Sequence, residues 1–202
     1  MTHHQHALAW ALAQLGKGEA PPGSNTGAFV RDCQAATWLP GTRWPWCVGF
    51  FMRAWVAAGV TLPWRGAGAF AFYDWAKTAD WTCASGQAQP GDAVIVRTGA
   101  GHCGMLSDPV NGTAVPTING NWGDAVTEHT FHLSEVLGFI HIPADPKVIR
   151  QTKPAKPRMF EVATSASGHK KLVYVSGPRA IGKKLPQLLN RYGGLTIRRR
   201  KH

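Results

Sequence analysis

Helical periodicity over residues 1–80 and strict alternation from Gly91 onward predict an α+β chain, with N-terminal helices packed on an antiparallel sheet and a small basic module at the C-terminus. Two observations place the boundary between the layers. Apolar residues recur three or four positions apart in four early segments, and the period then falls to two. A third observation marks off the end of the chain. From Pro146 onward there are 15 Lys and Arg against one acid, Glu161, a local charge of +14; residues 1–145 carry 7 against 10, or −3.

The elements follow in order. Ala7 to Leu15 reads as a short helix with Leu8, Leu12 and Leu15 on one face, stopped by Gly16 and Gly18. Turn residues make Glu19–Gly27 a loop, in which Glu19 and Asn25 are expected to bond local backbone. A second helix is expected over Ala28–Thr37, ended by Pro40-Gly41. Pro45 biases Trp44 away from helical geometry, and Val48, Phe51, Met52 and Trp55 follow at helical spacing. A buried helix should therefore start almost at Cys47 and stop near Gly59. Phe70, Phe72, Tyr73 and Trp75 suggest a fourth helix between Gly66 and Thr78. Asp92–Arg97, Gly104–Ser107, Thr113–Ile118 and Gly138–Ile142 then read as a meander of strands separated by Gly-rich and Asn-Gly turns.

Residues 146–157 form a Pro/Lys linker, extended by prolines and charge. Beyond it, residues 158–202 are expected to form a small module: a hairpin from Arg158–Val162 and Lys171–Val175, a helical pattern over Pro178–Tyr192 interrupted by Pro186, and a last strand at Leu195–Ile197. About 45 residues make a marginal independent core, so docking or ligand binding should help hold it.

At 202 residues, with nine Trp and eight Phe, the chain is long and aromatic enough to bury a substantial core. Four cysteines without CxxC spacing do not make a disulfide scaffold or a zinc knuckle, and Cys33, Cys83 and Cys103 are expected to be buried small hydrophobes. The N-terminus lacks a basic leader followed by an apolar core, and no run approaches the length of a membrane span. Of the nine histidines, His3, His4, His6, His169 and His202 are expected to be solvated, and His129, His132 and His141 to be surface or packing residues flanking strands.

Cys47 sits where chemistry is cheapest to build. In the first turn of a helix, unpaired amides and the positive end of the dipole favour thiolate over thiol. His102 follows 55 residues on, in Gly101-His102-Cys103-Gly104 at a turn into a strand, and Asn119-Gly120-Asn121-Trp122 begins 17 residues after it. Nucleophile, then imidazole, then a polar residue to orient the imidazole is the order of Cys-His-Asn enzymes. The competing reading of Cys47 is a buried cysteine in an aromatic core, and the downstream motifs argue against it.

Trp46-Cys47 with its aromatic flanks, the Pro90–Val96 strand, the Gly101–Gly104 turn and the Asn119–Trp122 segment together resemble the CHAP domain, the cysteine, histidine-dependent amidohydrolase/peptidase family common in bacteriophage endolysins. The resemblance spans roughly residues 5–143. It implies a papain-like/CHAP fold with the nucleophile helix packed on the sheet. It also implies a peptidoglycan hydrolase that cuts an amide bond, either as an N-acetylmuramoyl-L-alanine amidase or as a cross-bridge endopeptidase. Cys47 would be nucleophile and His102 the base. Many such domains carry Glu at the position of Asn119; here the orienting group is Asn119 or Asn121, either of which would be an amide rather than a carboxylate. Trp46, Trp64 and Trp122 are candidate substrate-binding residues.

No cofactor is expected. Some CHAP domains bind calcium through an Asp-rich loop before the nucleophile, but the corresponding Arg31–Trp46 stretch carries one acid, Asp32, so no metal is expected. A monomer acting on bacterial peptidoglycan follows, with anionic wall polymers or outer-membrane lipid as further partners of the basic module. Lacking a signal peptide, such a lysin would wait in the host cytoplasm before release to the wall, or be carried on a virion. Two other classes compete: a non-catalytic CHAP-like wall-binding protein, and a nucleic-acid-binding protein whose basic module grips phosphates.

Overall fold

The computed structural model describes residues 1–143 and, beyond them, the backbone of residues 158–164, 170–175 and 195–199. The chain divides into two compact units, Met1–Ile149 and Arg150–His202. The first is a mixed α+β unit of four helices and a six-stranded antiparallel sheet.

Helix α1 runs over His3–Leu12, four residues earlier than its periodicity suggested. Thr2 and Gln5 form a capping box: the Thr2 hydroxyl accepts from the Gln5 amide, and the Gln5 side chain accepts from the Thr2 amide. The buried face is therefore His4, Ala7 and Ala11, while Leu12 and Leu15 lie in solvent. His4, expected to be solvated, is in the core. Helix α2 spans Ala28–Ala35.

Helix α3 begins at Cys47 and ends at Ala57. It is apolar on nearly every side, as a helix covered all round must be, and packs against α1, α2 and the sheet. Phe50, Phe51, Met52 and Trp55 are essentially inaccessible, each burial stabilising the fold by about 1.5–3 kcal/mol. Helix α4, Ala69–Thr78, adds Phe72 and Ala76 to the same core.

The strands are β1 (Thr82–Cys83), β2 (Ala93–Val96), β3 (His102–Leu106), β4 (Ala114–Asn119), β5 (Thr127–His132) and β6 (Val136–Ile140). Their spatial order is β1-β6-β2-β3-β4-β5. The expected meander holds from β2 to β4; an unexpected β5 extends it, and the chain then returns across the sheet so that β6, expected beside β4, inserts between β1 and β2. Strands β1 and β5 had no counterpart in the sequence reading. Alternation separates two cores. Ala93, Ile95, Cys103, Met105 and Ile118 join the helices, while Val94, Val96, Leu106, Val115 and Phe131 form a second cluster.

In the second unit, β7 (Arg158–Thr164) pairs antiparallel with β8 (Lys170–Val175) on one side and with β9 (Leu195–Arg199) on the other. The proposed linker and the helical pattern at Pro178–Tyr192 lie outside the described residues. No described helix is long and apolar enough to cross a membrane.

Candidate active site

The position of Cys47 is built from two sides. Glu19 reaches out of the loop after α1, where one carboxylate oxygen accepts from the Trp46 indole N–H at 3.0 Å and the other from the Asn25 amide at 2.7 Å. Gln34 of α2 donates its side-chain amide to the Trp44 carbonyl at 2.8 Å and the Asn25 carbonyl at 3.1 Å. Together these contacts hold the turn that delivers Cys47 to the start of α3. The N-cap residue Trp46 makes no side-chain cap, and the first-turn amides of Cys47 and Val48 are directed at the Cys47 thiol.

Strand β3 packs against α3, and the backbone amide of Cys103, the residue after His102, donates to the Cys47 thiol. The strand that carries His102 is thus tied to Cys47 through the residue that follows the histidine. Cys47 is 4% and His102 5% exposed.

From His102 a chain of hydrogen bonds runs across β4 to β5, and every link has one possible direction. His102 Nε2 lies 3.0 Å from Asn119 Oδ1, an amide oxygen that only accepts, so the proton is on Nε2. Asn119 in turn donates through Nδ2 to Thr117 Oγ1 at 2.8 Å, and Thr117 donates its hydroxyl proton to the His129 carbonyl at 2.9 Å. A backbone carbonyl at the far end therefore sets the tautomer of the imidazole. Nδ1 keeps its lone pair.

Two glycines make room for this chain. A Cβ on Gly104 would stand 2.5 Å from Asn119 Oδ1, and one on Gly120 would stand 2.4 Å from the Phe50 Cβ of α3. The end of β4 can approach α3 only with no side chain at 120. Trp122 completes the wall, its ring 4.9 Å from the His102 ring and 5.1 Å from Phe131.

Electrostatics leave the pair neutral at rest. Burial pushes the Cys47 thiol up, against the opposing pull of hydrogen bonds from the Cys103 and Val48 amides and its own. The expected first-turn stabilisation of thiolate exists, but desolvation exceeds it. Burial likewise lowers His102 to about 4; the Asn119 hydrogen bond acts in the opposite direction and the charge of His129 adds to the lowering. Cys103, fully buried beside Cys47, is held well above the ordinary thiol range by burial.

The orienting contact belongs to Asn119. Asn121, in a left-handed conformation at φ 62°, turns its amide to Asn25 Oδ1 at 3.4 Å and bridges to the Glu19 loop instead. Of the three Trp residues expected to line the cleft, two are corrected. Trp46 is fully buried with its N–H on Glu19, and Trp64 packs on Phe72 at 4.8 Å, so neither offers a free ring face. Trp122 is half-buried next to His102. One contributor escaped the sequence reading, Thr117, whose spacing of two from Asn119 on a strand was the available signal; Glu19 bonds the Asn25 backbone amide as expected and in addition holds the Trp46 indole.

Cys33 is buried as expected, Cys83 is half-exposed, and all four cysteines are free thiols. Compared with known proteins, the chain matches no family model, no curated protein and no solved structure.

Proposed function

We propose that the first unit is a CHAP-type thiol hydrolase that cuts an amide bond of bacterial peptidoglycan. The observation that carries this is the 3.0 Å hydrogen bond that holds the His102 imidazole on Asn119 and leaves Nδ1 bare, on a strand packed against the helix that Cys47 opens. A serviceable base needs a lone pair, a fixed orientation and a nucleophile within reach of its strand, and each requirement has a named residue here.

In the proposed reaction the Cys47 sulfur attacks the amide carbonyl as its proton passes to His102 Nδ1. Attack and proton transfer are coupled because thiolate and imidazolium are both disfavoured by burial in the resting site. As the sulfur moves onto the carbonyl carbon, the first-turn amide of Cys47 that held the thiol would turn to the oxyanion of the tetrahedral intermediate. The imidazolium returns the proton to the leaving amine, and a thioester remains on Cys47. Water, deprotonated by His102, then releases the carboxylic acid and restores the thiol. Asn119 keeps the ring oriented throughout without adding charge.

The substrate class rests on the resemblance of the Trp46-Cys47, Gly101–Gly104 and Asn119–Trp122 motifs. The cation-rich strands of the second unit, which include Arg158, Lys170, Lys171, Arg198 and Arg199, suit anionic wall polymers that would concentrate the enzyme on its substrate. Purified protein and Cys47→Ala are incubated with isolated sacculi, and free amines and reducing sugar ends are assayed in parallel. New amines without new reducing ends, abolished in Cys47→Ala, are expected, and the new N-terminal residue identifies the bond. Release that survives the substitution overturns the assignment of Cys47.

A further inference from the structure

A second polar cluster lies in the same unit, built from three segments far apart in sequence. Asp92, at the entry to β2, is completely buried. Its carboxylate lies 3.1 Å from His4 Nε2 of α1, and 3.1 Å from His141 Nδ1 just after β6. The Gln89 side-chain amide nitrogen stands 3.2 Å from the same His4 nitrogen. The amides of Gln89 and Ile142 donate to the Asp92 oxygens at 2.9 and 3.4 Å.

The contacts at His4 Nε2 conflict as plain hydrogen bonds. One nitrogen faces both an acceptor, the Asp92 carboxylate, and a donor, the Gln89 NH2. With a proton it opposes Gln89; without one it opposes Asp92. Turning the Gln89 amide by half a rotation presents Oε1 instead, and four electron-pair donors then converge: two imidazole nitrogens, a carboxylate and an amide oxygen. Three of the six spacings, His4–Asp92, His4–Gln89 and His141–Asp92, are 3.1–3.2 Å, close to the edge of a tetrahedron with metal bonds of about 2.0–2.1 Å, which is about 3.3 Å. The His4, Asp92 and His141 ligand atoms all lie within 4.8 Å of one another.

The geometry points to a structural divalent-metal site of the zinc class, with His4 Nε2, Asp92, His141 Nδ1 and Gln89 Oε1 as ligands. The donor set is nitrogen and oxygen only, which zinc and its first-row neighbours accept and which calcium, an all-oxygen ion, does not. The two backbone amides on Asp92 are the outer contacts that fix a ligating carboxylate. The rings of His4 and His141 are near-parallel, 5.3 Å apart, so one must turn for both lone pairs to meet a single ion. His141 has the room: its side chain is 37% exposed, and it borders a surface depression of about 300 Å3 lined by Trp81, Thr82 and Cys83 that gives an ion entry. The ion would bind the first helix, the start of β2 and the end of β6 together, far in sequence from Cys47 and without a part in its chemistry.

The test uses the full chain, freed of metal with chelator and then titrated with Co2+ and with Zn2+. One equivalent of Co2+ is expected to give d–d absorption without a thiolate charge-transfer band, and saturating Zn2+ to raise the thermal midpoint by several degrees. His141→Ala, a change at a half-exposed residue, is expected to weaken Zn2+ binding by at least about tenfold, while a His3→Ala/His6→Ala double variant binds as the parent does. No metal uptake, a thiolate charge-transfer band, or binding undiminished in His141→Ala would each overturn the site.

Discussion

Two imidazole clusters sit in one unit, and they differ in the group at their centre. His102 is held by Asn119, an amide that accepts on one side and donates on the other, so its hydrogen bonds run in single file to the His129 carbonyl. His4 and His141 converge instead on Asp92, a carboxylate that only accepts and is approached from four directions. An amide passes direction along a chain and contributes no charge. A carboxylate gathers donors, or a cation, around a point. The first arrangement suits a base that must stay neutral until used; the second suits a fastening between elements.

The sharpest way to break this contrast is to remove the reacting groups. Cys47→Ala and His102→Ala should each reduce amine release from sacculi by at least about 10^4-fold, whereas His141→Ala should leave the rate within about twofold at a temperature where the fold is intact. Equal losses from the two clusters would erase the distinction between them.

Asn119→Ala probes the direction of the chain. It strips the imidazole of its orienting acceptor and leaves the buried Nε2–H unpaired, so kcat should fall by about 10^2-fold with KM little changed. Steady-state kinetics on a soluble muropeptide separates the two parameters.

Acid stability reports the neutral histidine. His102 takes up a proton at about 4 when folded and near 6.5 when unfolded, so the unfolded chain binds more protons between those values. Stability from this group is therefore complete above pH 6.5 and lost as pH falls to about 4, a change of about 3 kcal/mol in all. Urea unfolding at pH 7 and pH 4 measures it, and the loss should shrink in His102→Gln.

Thr117→Val is the mildest change. It deletes the shortest acceptor of the Asn119 NH2 and the donor to His129, leaves only the Thr117 and Thr127 carbonyls at 3.4 and 3.5 Å to hold the amide, and should lower kcat by up to about tenfold. A rate equal to that of the parent would mean that Asn119 needs no help in choosing its orientation.

Much of the site was readable in the chain. Pro45 followed by an apolar run places the start of a helix at Cys47 because both signals are local, and Asn119 keeps its strand face because alternation is local too. The sheet was harder. Strand β5 is mostly exposed, with Phe131 its one buried residue, so it carries no apolar alternation to detect. The insertion of β6 beside β2 is a pairing across some 40 residues that no local pattern encodes. Trp46 was misassigned for a similar reason: a Trp beside a nucleophile invites a ligand, but Glu19, 27 residues earlier, claims its N–H and draws the ring inward. His4 hid in the same way, since the Asp92 that buries it lies 88 positions away.

Nitrogen NMR of His102 in imidazole-labelled full-length protein, assigned with His102→Gln and titrated from pH 8 to pH 3.5, is the most direct measurement. The expected result is a neutral ring with its proton on Nε2 and Nδ1 bare at pH 7, charging only near pH 4. A ring already doubly protonated at pH 6–7, or a proton on Nδ1, would contradict the neutral, amide-oriented base on which the proposed chemistry depends.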